Sequence, residues 1–330
     1  MNSESAWPIA LADVLAARER LRPYLPPTPL RSYAPLDATV GAHVLVKHEN
    51  HQPTNAFKAR NGLAVMTALS ADERRRGVVA ATRGNHGQGL AWAGRLLGAP
   101  VTICVPIGNN PEKNQAMRGL GAELIEEGRD YDEAVTVMSR LVRDRGLRPV
   151  HSTNEPLVIA GAATLTLEIV EQAEAMNERL GAMVVAVGGG SQAVGAMTVL
   201  RALRPGVPVF GVQASQARAI HDSWHARRPL VATSADTIAD GLATRQTYEA
   251  TFDALREGLA DFVLVSEAEI ADAVRLMIRA THNLAEPAGA AGLAGLRKLA
   301  DRLRGQTVGI VLSGGNVDQE TLRRIVCGEI

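Results

Sequence analysis

The stretch Pro53-Thr54-Asn55-Ala56-Phe57-Lys58-Ala59-Arg60-Asn61-Gly62 decides how the chain is read. It follows the short apolar run Val44-Leu45-Val46 and a polar string at 47–52, and it leads into an apolar-periodic segment at 63–69 that reads as a helix. Lys58 therefore sits where a loop turns into a helix. A lysine at such a place is ordinarily a solvated first-turn residue. Three loops further along give it another meaning.

Outward from this stretch the chain settles into a strand–helix rhythm. Residues 78–81, 101–105, 123–125 and 148–150 are strand-like, and they alternate with helical patterns at 88–97, 111–120 and 131–142. A second round has helices at 157–180 and 193–203 and strands at 183–187 and 207–212. Further strands at 262–265 and 308–312 enclose helices at 267–281 and 289–303. Upstream, a helix over 11–21 ends before Pro23, and the proline-rich string 26–30 reads as an extended connector. Apolar strands alternating with helices predict an α/β protein whose mostly parallel sheets are covered on both faces. Two lobes are expected, residues 62–154 forming the smaller and residues 1–61 with 155–330 the larger.

In open parallel sheets ligands bind where strands end and helices begin, and the three loops lie at such junctions. The first is Thr82-Arg83-Gly84-Asn85-His86-Gly87-Gln88-Gly89, in which Asn85 and His86 supply polar groups with little structural need. The second is Gly188-Gly189-Gly190-Ser191, where consecutive glycines either form a plain tight turn or let backbone N–H groups converge on an anion at a helix start. It is neither a P-loop nor G-x-G-x-x-G. The third is Ser313-Gly314-Gly315-Asn316, after the last apolar strand.

The totals exclude several classes. Among 330 residues, 35 basic residues balance 35 acidic ones, which leaves no global field for nucleic acid or an anionic membrane. Four Phe, four Tyr and three Trp are too few for a base-stacking surface. Cys104 reads as a buried small hydrophobe, and it is far in sequence from Cys327, so neither a disulfide framework nor a metal spacing is present. The N-terminus has no secretory pattern, and no apolar run is expected to approach the roughly 20 residues that span a bilayer. A soluble, cytoplasmic protein is expected.

A lysine at a strand–helix junction, an anion cradle, an Asn–His loop and a terminal serine together suit pyridoxal phosphate, which needs an amine at one end and an anion grip at the other. In order and spacing, these motifs resemble the serine/threonine dehydratase (ammonia-lyase) family of fold-type II pyridoxal phosphate enzymes. This tryptophan synthase β-like group also holds serine racemase. The similarity runs from about Leu21 to the C-terminus.

The resemblance implies a role for each matching residue. Lys58 forms the Schiff base, with Phe57 beside the ring, and Asn85 hydrogen-bonds the 3′-oxygen. Gly188, Gly189, Gly190 and Ser191 hold the phosphate, and Ser313 faces the pyridine nitrogen. Glu286 and Gly289 line the cofactor. Thr82, Arg83, Gly84 and His86, with Thr54 and Asn55, meet the substrate carboxylate. Asp240 either touches the site or only shapes a turn. The larger lobe binds the cofactor, the smaller lobe lies on the substrate side, and the assembly is a homodimer. Lys58, once freed, removes the α-proton of a β-hydroxy amino acid, and α,β-elimination gives a 2-oxo acid and ammonia. Racemisation or β-replacement is the in-class rival, and a non-catalytic ligand-binding protein the rival from another class.

Departures from the family pattern narrow the transfer. Arg83 replaces a small residue; it either points to solvent or binds a substrate carboxylate bidentately. The serine that racemases use as a second acid/base is absent there, which argues against racemisation. Asn55-Ala56 replaces Gly-Ser, which leaves the substrate open among serine, threonine, a bulkier 3-phenylserine and an acidic 3-hydroxyaspartate. Gln213 and Ala219 stand where racemase-like members carry carboxylates for a divalent cation, so no such metal site is expected. No regulatory domain follows Ile330, so isoleucine feedback is not expected either.

Overall fold

A computed structural model describes residues 7–129 and 131–330. Its strands are β1 Leu30–Ser32, β2 His43–His48, β3 Val78–Ala81, β4 Val101–Val105, β5 Glu123–Glu126, β6 Arg148–Pro149, β7 Ala182–Ala186, β8 Val209–Ala214, β9 Asp261–Val265 and β10 Thr307–Leu312. Six strands form one sheet in the order β1-β2-β10-β7-β8-β9, and four form a second in the order β5-β4-β3-β6. Every pairing is parallel except β1 on β2, an antiparallel edge.

Period-two alternation explains how each sheet is covered. In the larger sheet Val44, Val46, Val184, Val212 and Ile310 belong to one core, built with residues of the helices Glu267–Thr281 and Pro287–Lys298. Their neighbours Leu45, Met183, Val185 and Val311 point the other way, into a core with the helices Pro156–Ala175 and Ser191–Leu203. The smaller sheet divides likewise. Val78, Ala80, Val101, Ile103 and Val105 face one core, whereas Val79, Ala81 and Cys104 face another beneath the helix Tyr131–Arg145. Each Val, Leu or Ile so buried contributes about 1.5–3 kcal/mol. Cys104 is free and buried, and burial pushes its thiol up to about 11.

Some elements differ from the sequence expectation. The 26–30 connector ends in β1, whose three residues are too few to show a period. The helix expected over 157–180 stops at Ala175, and Asn177 then takes a left-handed conformation (φ 58°). The helix Ser191–Leu203 begins two residues earlier than expected, inside the glycine loop. The short helices Ala34–Val40, Ala71–Arg76, Ala219–Ala226, Glu249–Gly258 and Gln319–Val326 were not anticipated. One of them carried a readable start signal, because Ser70 and Glu73 form a reciprocal capping box.

The expectation about apolar runs needs correction. The helix Pro156–Ala175, at 20 residues, is long and apolar enough to cross a membrane by length and composition. Burial gives its apolar character another cause: 78% of its most apolar window lies inside the protein.

Candidate active site

Lys58 opens the helix Lys58–Met66, and the residues before it are laced to the third glycine loop. Ala56 bridges Gly314 as an isolated antiparallel pair. The Phe57 N–H donates to the Ser313 carbonyl (3.0 Å), and the Gly315 N–H donates to the Asn55 carbonyl (2.9 Å). Asn55 holds φ 54°, a region that asparagine tolerates better than most residues. Lys58 and Ser313 are thus fixed on one joint, although 255 positions (313 − 58) separate them in sequence. A second close approach brings in the Asn–His loop. Any Cβ on Gly62 would strike the Gly89 backbone, and one on Gly89 would strike the carbonyl of Lys58. The helices Lys58–Met66 and Asn85–Leu97 therefore cross at a glycine pair, which sets Asn85 and His86 beside Lys58.

Beneath the lysine lies a buried cluster of four charges. Arg60 (2% exposed) donates Nε and Nη2 to Glu49 at 2.8 and 2.9 Å, and Nη1 and Nη2 to Glu168, both at 2.7 Å. Lys47 Nζ donates to Glu168 at 2.6 Å, to the Thr28 carbonyl at 2.7 Å and to Gln172 Oε1 at 2.8 Å. Thr28 Oγ1 adds a bond to Glu49 at 2.6 Å. Two cations and two anions cancel. Burial alone would raise the Glu49 carboxyl, but the Arg60 charge and hydrogen bonds hold it below its ordinary range.

A cavity of about 460 Å³ opens above. Its wall includes Phe57, Lys58, the loop from Thr82 to His86, the loop from Gly188 to Ser191, Glu286 and Ser313. Thr54 and Asn55 are not on it. The Thr54 side chain is buried elsewhere, and Asn55 is exposed with its Nδ2 3.4 Å from Asn316 Oδ1. Arg83 is exposed at the wall, with its carbonyl accepting from Asn109 Nδ2. Asp240 is on the wall and pairs with Lys113 of the smaller sheet's helix Pro111–Gly119, a link across the cavity that the sequence reading missed. Tyr131, Ser152, Thr153 and Tyr248 also line it and were missed. Gln213, at the position expected to lack a metal carboxylate, accepts the His221 N–H at 3.0 Å.

The cavity's titratable groups are displaced by burial. The Lys58 ammonium is lowered to about 8 by burial, which the Glu286 charge opposes. His86 is lowered to about 3 by burial and by Lys58, so its ring is neutral at pH 7. Burial, with Asp240 nearby, pushes the Glu286 carboxyl well above the usual carboxylate range, against the pull of Lys113 and of the Asn85 hydrogen bond. Glu286 Oε2 and His86 Nδ1 are buried without a partner among the described residues.

The glycine loop has the form of an anion cradle. The Ser191–Leu203 helix is entered from Gly190 at φ 101°, and no side chain caps it, so its first amides are free of intrahelical and capping partners. A Cβ on Gly189 would collide with the Thr153 hydroxyl. An amine of lowered proton affinity thus shares one cavity with an uncapped helix start, two partnerless buried polar atoms and the Ser313 hydroxyl. This set fits pyridoxal phosphate.

The family model for pyridoxal-phosphate dependent enzymes matches residues 21–314. The chain belongs to this family. Among pyridoxal-phosphate dependent enzymes it is 36% identical to an L-threonine ammonia-lyase of Thermotoga maritima, over 96% of this chain and 78% of that protein. It is 34% identical to an L-threo-3-hydroxyaspartate ammonia-lyase of a Pseudomonas species, over 96% of this chain and 98% of the relative. The crystal structure of a T.th. threonine deaminase superposes with a TM-score of 0.89 at 36% identity, covering 94% of this chain and 99% of that one. The fold-type II architecture expected from the motifs is the one these family members share.

Proposed function

We propose that this pyridoxal-phosphate dependent enzyme is a lyase that acts on a β-hydroxy-L-amino acid of the serine, threonine or 3-hydroxyaspartate kind. The net reaction takes R–CH(OH)–CH(NH₃⁺)–COO⁻ to R–CH₂–CO–COO⁻ and NH₄⁺. The observation that carries the reading is Lys58, an amine of lowered proton affinity in a cavity that also presents an uncapped helix start. Relatives named for threonine and 3-hydroxyaspartate ammonia-lyases support the reaction class.

In this reading Lys58, Phe57, Asn85, Glu286 and Ser313 surround the cofactor ring, and the amides of Gly188, Gly189, Gly190 and Ser191 take its phosphate. Bound there, pyridoxal phosphate supplies the electron sink that acidifies the substrate's α-C–H. Lys58 Nζ moves that proton, and a lowered proton affinity suits it to act near neutral pH. The start of the helix Asn85–Leu97, with Thr82, Gly84 and His86, binds the substrate carboxylate. Arg83, at the exposed rim, selects for or against a second carboxylate on the substrate. Ser313 offers a hydroxyl and no charge to the ring nitrogen, so negative charge at the α-carbon is only weakly stabilised and the β-hydroxyl leaves promptly. The smaller lobe, residues 62–154, carries the carboxylate loop and closes over the substrate. The enzyme works as a homodimer in the cytoplasm.

The test is a panel of serine, threonine, 3-phenylserine and both threo- and erythro-3-hydroxyaspartate, with ammonia, 2-oxo acid and D-amino acid assayed together. Stoichiometric ammonia and 2-oxo acid from one member support the reading. D-amino acid as the main product would move it to a racemase, and a protein that binds the cofactor yet leaves the whole panel unchanged would remove the lyase assignment.

Lys58 also makes a pH prediction. Only the neutral amine is nucleophilic, so cofactor capture by the apoprotein speeds up as pH rises, with a midpoint near the lowered value of about 8. Glu286 raises the Lys58 proton affinity, so Glu286→Gln should move that midpoint to lower pH. Stopped-flow recovery of the band near ~410–420 nm measures it; a midpoint unmoved or raised in the variant counts against the coupling.

A further inference from the structure

Asn85 is the side chain that would meet the cofactor's 3′-oxygen, and its amide could face the cavity either way round, oxygen or nitrogen first. A neighbour outside the cavity wall decides this. Asn316 Nδ2 lies 2.8 Å from the backbone carbonyl of Thr54 and 2.8 Å from Asn85 Oδ1. Gln88 Oε1 is a weaker third partner at 3.5 Å. A backbone carbonyl only accepts hydrogen bonds. The atom of Asn316 that faces Thr54 must therefore be the amide nitrogen. Its two hydrogens go to the Thr54 carbonyl and to Asn85, so the Asn85 atom on that side must be its oxygen. The Asn85 nitrogen is thereby turned the other way, where it donates to Glu286 Oε1 at 2.7 Å. One of its two N–H bonds remains for the cavity.

We infer that Asn316 is a positioning residue, which relays the fixed polarity of the Thr54 carbonyl through Asn85 to Glu286 and so presents an Asn85 N–H, not its carbonyl, to the cofactor oxygen. The inference rests on reading Asn85 as a cofactor contact. It adds a residue that touches neither cofactor nor substrate, together with a direction of hydrogen bonding. The backbone assists it: Ala56 bridges Gly314 and Gly315 bonds Asn55, so Thr54 and Asn316 keep their separation through main-chain links that do not involve Asn85.

The direction distinguishes this role from simple packing. Asn316→Asp keeps the size of the side chain but offers only acceptors, to Thr54 and Asn85 alike. Asn316→Ala removes the bulk and leaves Asn85 free to find its own orientation. A packing role makes the Asp variant the milder of the two, whereas a positioning role makes it at least as severe as Ala. Holoenzymes of both variants are compared with the parent by absorbance spectrum and by pyridoxal phosphate dissociation constant, alone and in an Asn85→Ala background. The loss of one oriented hydrogen bond predicts an Asp variant with about 3–10-fold weaker cofactor binding. Its absorbance should shift from ~410–420 nm toward ~330 nm, as the phenolic oxygen loses its donor. In the Asn85→Ala background the same substitution should change binding less than about twofold, because its target is gone.

A parental spectrum and affinity in Asn316→Asp would overturn the inference, as would an Asp variant milder than Ala or an undiminished effect without Asn85. A parent protein that stays colourless with pyridoxal phosphate overturns the reading of the site, and this inference with it.

Discussion

Lys58→Ala will leave a folded protein with no band near ~410–420 nm after incubation with pyridoxal phosphate, and with turnover lowered beyond the ~10²–10⁴-fold that loss of a general base alone brings. The drop is larger than for a base alone because, in the proposed reaction, one amine serves both as anchor and as proton carrier. Phe57, Ser313 and the glycine loop are held by backbone contacts that do not involve the Lys58 side chain, so the cavity survives the truncation. Circular dichroism should therefore match the parent, and thermal unfolding the cofactor-free parent, since bound cofactor by itself raises the melting temperature. Absorbance, ammonia release and unfolding measured on one preparation separate the outcomes. Retained turnover would show that Lys58 is not the reactive amine. A melting temperature below that of the cofactor-free parent, with lost activity, would mean that the alanine had damaged the fold and that activity says nothing about chemistry.

The second large effect is expected two residues away. Arg60→Met should destabilise the protein by about 3–5 kcal/mol, the usual cost of stripping one partner from a buried ion cluster. Arg60 spans Glu49 and Glu168, and its loss leaves two buried carboxylates facing Lys47 alone. Exposed pairs such as Arg140–Glu127 set the contrast, since breaking one costs about 0–1 kcal/mol. Urea unfolding at pH 7 measures both. The pH dependence adds a signature. In the parent, Glu49 is held below its ordinary range, so its contribution is fully present above the unfolded-state value of about 4 and is lost as pH falls through the lower folded value. In Arg60→Met the carboxyl is no longer held charged. Burial then raises it above its unfolded value, so it takes a proton before pH reaches about 4, and the gap between variant and parent narrows as pH falls from 7 toward 4 and further below. A constant gap from pH 7 to 4, or one under about 1 kcal/mol at pH 7, would show that the cluster is not what holds this turn.

What the sequence disclosed and what it withheld follow from the range of the interactions. All the strands except β1 were legible because Val-Leu-Val and Met-Val-Val runs carry their burial within a few residues. The glycine loops were legible for the same reason, since a backbone that must approach a helix start needs its glycines in a row. Asp240 was left between touching the site and shaping a turn, and its partner Lys113, 127 positions away, carried no local mark. Tyr248 carried no local mark of cavity lining. Lys47 and Glu49 read only as part of a polar string, Arg60 drew no reading of its own, and the one clue to their burial lay far downstream. Glu168 is the lone charge between Leu157 and Val170, and a carboxylate in so apolar a helix calls for a buried cation. The family resemblance placed Thr54 and Asn55 at the substrate carboxylate. The left-handed turn at Asn55 instead points that residue outward.

The chain passes from the larger sheet to the smaller along the helix Lys58–Met66 and returns along Pro156–Ala175. Arg60 joins the two near their crossing, where a Cβ on Gly161 would press on the Arg60 carbonyl. Leu63 to Met66 and Val158 already belong to the smaller sheet's core. Outbound and inbound segments are thus riveted side by side by a neutral ionic knot, while the far rim of the cavity is tied by the pair Lys113 and Asp240. The cavity is braced on two sides, by a buried ionic knot beside Lys58 and by an ion pair opposite. Lys113 is itself largely buried, so added salt reaches neither tie easily, and it reaches the fully buried knot beside Lys58 least.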